Sequence, residues 1–176
     1  MIISQDLIDW NSIIDHLESR KGVRISNDPS IWDLSNPKYL DIKTRWDDPK
    51  FNANSIEWIN YYPEIDFSKT ITNQISDFLS VKPHRSWISR INPGYFAPWH
   101  WDVDDHEDQY LKYGEILRYN IFISNPTPGQ IFILENNYYF DQEQGTILKW
   151  KNHRQWHCGI NASFVPKYMF NLVCYE

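Results

Sequence analysis

Residues 86–103 read SWISRINPGYFAPWHWDV. Over Ser86–Asn92, β-branched and aromatic residues are interleaved with polar ones, the pattern of a half-buried strand. Pro93-Gly94 halts that run, and Pro98–Val103 reads as a second strand. Inside it, His100 and Asp102 stand two residues apart, a spacing that projects both side chains to one face of a strand. Two metal-ligating groups placed so can grip a single ion.

The texture downstream stays that of short strands. Ile116–Ser124 alternates and is turned by Asn125-Pro126-Thr127-Pro128-Gly129; Gln130–Glu135, Asn137–Asp141, Gly145–Trp150, Trp156–Ile160 and Tyr168–Tyr175 follow. No helix-length spacer separates them, which argues against a parallel α/β sheet and for a sandwich or barrel. Upstream, Leu7, Trp10, Ile13, Ile14 and Leu17 recur at helical spacing with Asp6 near the start. Thr70–Leu79 predicts a second helix with Ile71, Ile75 and Leu79 on one face, beginning at Asp66 or Ser68. Residues 27–66 read as irregular, because Asn27-Asp28-Pro29, Asn36-Pro37 and Asp47-Asp48-Pro49 are turn signals. The expectation is a mainly β chain, a double-stranded β-helix or jelly roll over 86–176, supported by α-helices in a helical and irregular part over 1–85, all in one domain.

The bulk composition narrows the class. The chain has 176 residues, 41% of them hydrophobic, enough for a core, and aromatic residues at 16% are too frequent for a disordered chain. The net charge is −6 and no basic run occurs, so nothing favours nucleic acid or an anionic membrane surface as a partner. Cys158 and Cys174 fit neither a zinc knuckle nor a disulfide framework and read as reduced thiols in a β core. The first residues, MIISQD, lack the basic and apolar regions of a signal peptide, and no apolar run reaches membrane-spanning length. The expected setting is cytoplasmic; the oligomeric state is not legible.

A third ligand must come from elsewhere in the chain, and His157, in WHCGIN on a late strand, is the candidate. In a jelly roll an early and a late strand can lie side by side. Two His and one carboxylate on one face form the facial triad of non-haem iron(II) oxygenases; the plain alternative is polar residues on unrelated strands. Arg118 and Asn120 share one face of their strand among apolar neighbours. An Arg buried there needs an anionic partner, either a ligand carboxylate or one of the chain's own acids. His106 lies in an acidic loop and reads as solvated, while Trp99, Trp101, Trp150 and Trp156 flank the ligand candidates and are assigned by default to packing.

The run from Ser89 to Glu176 resembles the aspartyl/asparaginyl β-hydroxylase-type branch of the iron(II)/2-oxoglutarate oxygenases. The resemblance is carried by Pro93-Gly94, His100 and Asp102, Arg118 near the opening of a strand, Gly129, then His157, Asn161, Ser163 and, ten residues after that His, Lys167. Some members carry Gly at the position of Asp102, and the final basic residue is usually Arg, a bidentate fork where Lys gives a point charge. The resemblance implies a cupin-like jelly roll in which His100, Asp102 and His157 hold Fe(II). It implies that Lys167, helped by Ser89, binds the distal carboxylate of 2-oxoglutarate, with Arg118 and Asn161 as further cosubstrate or substrate contacts. The plain alternative for Asn161 is a turn residue. Such an enzyme consumes 2-oxoglutarate and O2, releases succinate and CO2, and hydroxylates an unactivated C–H bond of a small molecule or peptide, an amino-acid side chain being the branch's usual target. Two other readings stay open: a cupin-type metalloenzyme that does not use 2-oxoglutarate, and a non-catalytic β-sandwich binding module.

Overall fold

The computed structural model describes residues 1–26, 55–100, 116–151 and 155–175. Helix α1 (Trp10–Glu18) is capped by Asp9, whose carboxylate accepts from the Ser12 amide. Strands β1 (Val23–Ser26) and β2 (Glu57–Tyr61) follow, then helix α2 (Lys69–Leu79), capped by Ser68. The remaining strands are β3 (Lys82–Ile91), β4 (Phe96–His100), β5 (Ile116–Phe122), β6 (Gln130–Leu134), β7 (Asn137–Phe140), β8 (Thr146–Lys151), β9 (His157–Asn161) and β10 (Lys167–Tyr175).

Two antiparallel sheets result. The six-stranded sheet runs β1-β2-β3-β10-β5-β8, and the four-stranded sheet runs β4-β9-β6-β7. From β3 onward the chain crosses from one sheet to the other at every connection except the β6–β7 hairpin. The last strand, β10, inserts between β3 and β5, and β9 inserts between β4 and β6. This strand order is that of a double-stranded β-helix, as the sequence predicts.

Three readings of the sequence need correction. The part over 1–85 is not only helical and irregular, since β1 and β2 extend the large sheet and Asn60 pairs with Ser89 of β3. The turn-forming residues around it masked the strand-like run IEWINY (56–61). Strand β3 starts at Lys82, four residues before the expected point, because Pro83 falls beside a register shift on β10 where the ladder can spare its missing N–H. Helix α1 begins after Asp9 and not at Asp6, which leaves Leu7 exposed.

The main core lies on the outer face of the six-stranded sheet. Leu117, Tyr119 and Ile121 of β5 and Phe170, Leu172 and Cys174 of β10 pack there against Trp10, Ile13 and Leu17 of α1 and Ile75 of α2. Every residue of β5 is buried, so both of its faces are covered. A smaller cluster, Phe122, Phe132, Leu134, Trp150 and Met169, lies between the sheets. Tyr168 and Arg90 both reach Glu18, which ties α1 to the sheet. Cys158 and Cys174 are free and buried, as expected. Among the described residues no helix is long and apolar enough to cross a membrane.

The N-terminal residues lie along β8, where Ile3 N–H donates to the Gly145 carbonyl at 2.9 Å and Ile147 N–H to the Met1 carbonyl at 2.9 Å. Gly145 has φ +85, and a Cβ there would stand 2.1 Å from the Ile3 carbonyl oxygen. The Gly145→Ala variant is therefore expected to lose about 1–3 kcal/mol of stability and to expose the Ile3 amide, read by urea unfolding together with hydrogen exchange.

Candidate functional site

Between the sheets lies a cavity of about 150 Å³. Seven of the residues singled out in the sequence line it: Ser89, His100, Arg118, Asn120, Trp150, His157 and Lys167. Asp102 lies outside the described residues, as do Trp101 and His106.

The two histidines meet because β4 and β9 are paired. His100 and His157 are direct cross-strand partners, and their ring centroids are 4.3 Å apart. A register shift between Ala97 and His100 makes this possible. Ala97 faces the cavity; three residues further along a regular strand, His100 would face away. The bulge spends one residue, turns Trp99 to solvent and brings His100 back to the cavity face. Pro98 sits in the bulge, where a residue with no N–H costs least.

Both rings are held by the same nitrogen. His100 Nδ1 lies 2.5 Å from the Pro98 carbonyl oxygen, and His157 Nδ1 lies 3.1 Å from that of Gln155. A carbonyl can only accept, so Nδ1 carries the hydrogen in each ring, and in the neutral form of the ring Nε2 keeps the lone pair. Neutral imidazoles oriented by a carbonyl are what a metal-binding His pair requires. Trp58 stacks on His100 at 6.1 Å, while Trp150 and Phe132 flank His157 at 4.9 and 5.9 Å.

Lys167 and Arg118 enter the cavity from its two ends. Arg118 pairs with Val173, six residues along β10 from Lys167, a separation of about 20 Å between backbone positions. Lys167 is buried beside Phe132, with its Nζ 5.8 Å from the ring centroid, and donates to the Ile131 carbonyl. Burial pushes its ammonium down to about 7, against a small opposing pull from Cys158. Burial also pushes the Cys158 thiol up to about 11. Gly159 leaves the space in front of Lys167 open, since a Cβ there would come within 2.9 Å of Ile91 Cδ1 and 3.9 Å of Lys167 Nζ. The Arg118 guanidinium lies 5.5 Å from the ring centroids of both Trp87 and Trp150.

Asn161 is placed elsewhere. Its Nδ2 donates to the carbonyls of Ile91 and Val165, both at 2.8 Å, and its Oδ1 accepts from the amide and hydroxyl of Ser163. Those bonds build the turn between β9 and β10, and Asn161 does not line the cavity. The sequence reading also passed over Trp58, Asn60, Trp87, Gly159 and Asn171, which do line it. Asn171 had a signal: it continues the inward alternation of Lys167 and Met169 as an amide in an apolar strand. Trp58 and Asn60 had none, because their strand was read as irregular.

No protein-family model matches the sequence, and no curated protein does. Among solved structures, a predicted oxalate decarboxylase from Thermotoga maritima is similar at 12% identity, covering 68% of this chain and 82% of that one, with a TM-score of 0.41. The cupin domain of an XRE-family transcriptional regulator from Enterobacter cloacae matches at 10% identity over 68% and 97%, with a TM-score of 0.42. A cupin-superfamily sugar phosphate isomerase from Silicibacter pomeroyi matches at 8% identity over 58% and 57%, with a TM-score of 0.37. The double-stranded β-helix assignment rests on the strand order itself.

The buried Lys167 makes a prediction about pH. Its folded value of about 7 lies below its ordinary 10.5, so between those limits the unfolded chain holds a proton that the folded chain has released. Stability then rises with pH. Below pH 7 both states are protonated and the full cost of burying the charge is felt. Above pH 9 the buried thiols Cys158 and Cys174, both raised to about 11, act in the opposite sense. Urea unfolding of the metal-free protein is expected to show stability rising from pH 7 to 9, by at most about 1.4 kcal/mol per pH unit. That rise is expected to be absent in Lys167→Met.

Proposed function

We propose that the protein is a non-haem iron(II)- and 2-oxoglutarate-dependent dioxygenase, which hydroxylates an unactivated C–H bond of a small-molecule or peptide substrate and releases succinate and CO2. The observation that carries this reading is the cross-strand pair His100 and His157, each held through Nδ1 by a backbone carbonyl, in one cavity with a buried Lys167. The donor set fits the metal: two imidazoles on adjacent strands suit iron, and Asp102, two residues beyond His100, would add the carboxylate of a facial triad. Bound there with 2-oxoglutarate, iron(II) supplies the activation of dioxygen that no amino-acid side chain can supply.

The protein's own part is to bind, orient and exclude water. A carboxylate docked against Lys167 restores its ammonium form, so cosubstrate binding above pH 7 takes up a proton. Ser89 adds a hydroxyl to the same part of the cavity, and Ile91, Phe132 and Met169 line it with apolar surface. Packing of this kind keeps water from the reacting centre and strengthens the charge contact. Arg118, at the far end from Lys167, is suited to an anionic group of the substrate or to the carboxylate nearest the metal. The large sheet thus holds Lys167 and Arg118 apart, and on the facing sheet His157 lies by the rings of Phe132 and Trp150 and His100 by that of Trp58.

Conversion of 2-oxoglutarate to succinate in air, with iron(II) and ascorbate, tests the reading. Slow succinate formation without added substrate is expected. It should fall at least about 100-fold in His157→Ala, a loss of 2.7 kcal/mol or more of transition-state stabilisation. Lys167→Ala should raise the concentration of 2-oxoglutarate needed while leaving iron binding intact. Iron bound without 2-oxoglutarate consumption would favour a cupin-type metalloenzyme of other chemistry, and no iron binding would favour a non-catalytic module.

A further inference from the structure

A chain of hydrogen bonds crosses the cavity floor from β8 to β3. The Trp150 indole N–H donates to Asn120 Oδ1; Asn120 Nδ2 donates to Asn171 Oδ1 at 2.6 Å; Asn171 Nδ2 donates to Ser89 Oγ at 3.1 Å. Trp150, Asn120 and Asn171 are all buried, and Asn120 and Asn171 are direct cross-strand partners. The direction of the chain is fixed at one end, because an indole nitrogen can donate but never accept. Trp150 therefore turns the Asn120 oxygen toward itself and the Asn120 amide hydrogens toward Asn171. The Asn171 oxygen must then face Asn120, and its amide nitrogen donates to Ser89 Oγ and the Met169 carbonyl, both at 3.1 Å, with the Trp87 carbonyl at 3.4 Å. Each amide passes the same polarity onward.

The consequence falls on Ser89. Asn171 presents only hydrogens to the Ser89 oxygen, so it cannot take the hydroxyl hydrogen, which is left for another acceptor. The Met169 carbonyl lies 3.4 Å from the Ser89 oxygen, a long contact for that hydrogen. The hydroxyl lies in the cavity on the strand partner of Lys167's strand, where Met169 pairs with Ser89 and Lys167 with Ile91.

We propose that this relay presets Ser89 as a hydrogen-bond donor, so that this end of the cavity selects an anionic acceptor, a carboxylate, over a neutral ligand of the same shape. Asn120 and Asn171 are positioning residues in that scheme, and Trp150 is its anchor. The relay also couples the two halves of the site, since the ring that sets its direction is the one packed on His157. The inference deepens the reading of Lys167 and Ser89 as a cosubstrate carboxylate site, and it needs no metal to be tested.

The test is a double-mutant cycle on glutarate binding to the metal-free protein, measured by calorimetry. Trp150→Phe removes the N–H while keeping an aromatic ring. It is expected to weaken glutarate binding about fivefold to tenfold in the wild-type background, the scale of one weakened hydrogen bond to a charge. In the Ser89→Ala background the same change is expected to have no effect, which separates the relay from any general disturbance. If Trp150→Phe does not fold, Asn120→Asp serves in the same cycle, because it still accepts from Trp150 but cannot donate to Asn171. An equal loss in both backgrounds, no loss in either, or no glutarate binding to the wild type overturns the relay. Glutarate binding with the predicted coupling in a protein that turns over no 2-oxoglutarate would leave the relay standing and sink the oxygenase. Turnover without coupling would do the reverse.

Discussion

The inner face of the six-stranded sheet buries two cations and a set of amides, and the rest of the structure is arranged around that constraint. Lys167, Arg118, Asn120 and Asn171 are each less than a tenth exposed. Burying such groups costs several kcal/mol apiece unless they are bonded or neutralised. The amides are bonded to one another and to Trp150, Arg118 lies by two indoles, and Lys167 relaxes toward its neutral form. Stability is supplied on the other side of the same strands, where α1 and α2 cover an apolar outer face. The helices are thus what allows β5 and β10 to be polar inward.

The four-stranded sheet makes a complementary contribution. It carries the two histidines, and the bulge at Pro98 sets the phase that puts both on the cavity side. A bulge at a functional edge re-aims a side chain at little cost to the ladder. The result is a cavity in which one sheet supplies the two imidazoles and the other supplies Lys167 and Arg118.

Much of this was legible in the sequence, for reasons that can be named. Period-two alternation, punctuated by Pro and Gly, located β4 to β10 to within a few residues. The spacing of His100 and His157 on an early and a late strand anticipated their pairing. For Asn161 the motif gives position but not bonding, and its amide bonds to the β9–β10 turn and to Ile91 of β3, which matches the turn-residue alternative. The bulge was invisible because it depends on the partner strand's register. The Asn120–Asn171 pair was invisible for the same reason, since neither residue reveals its cross-strand neighbour. Trp58 and Asn60 were lost because turn signals on both sides outweighed a five-residue strand.

The most direct test of the central claim is anaerobic titration of the metal-free protein with iron(II) and then 2-oxoglutarate, followed in the visible region for the weak charge-transfer band of the chelate. The account predicts a band that requires both additions, is lost in His157→Ala, and needs a higher concentration of 2-oxoglutarate in Lys167→Ala. Iron binding with no band at saturating 2-oxoglutarate, or a band undiminished in His157→Ala, would contradict it.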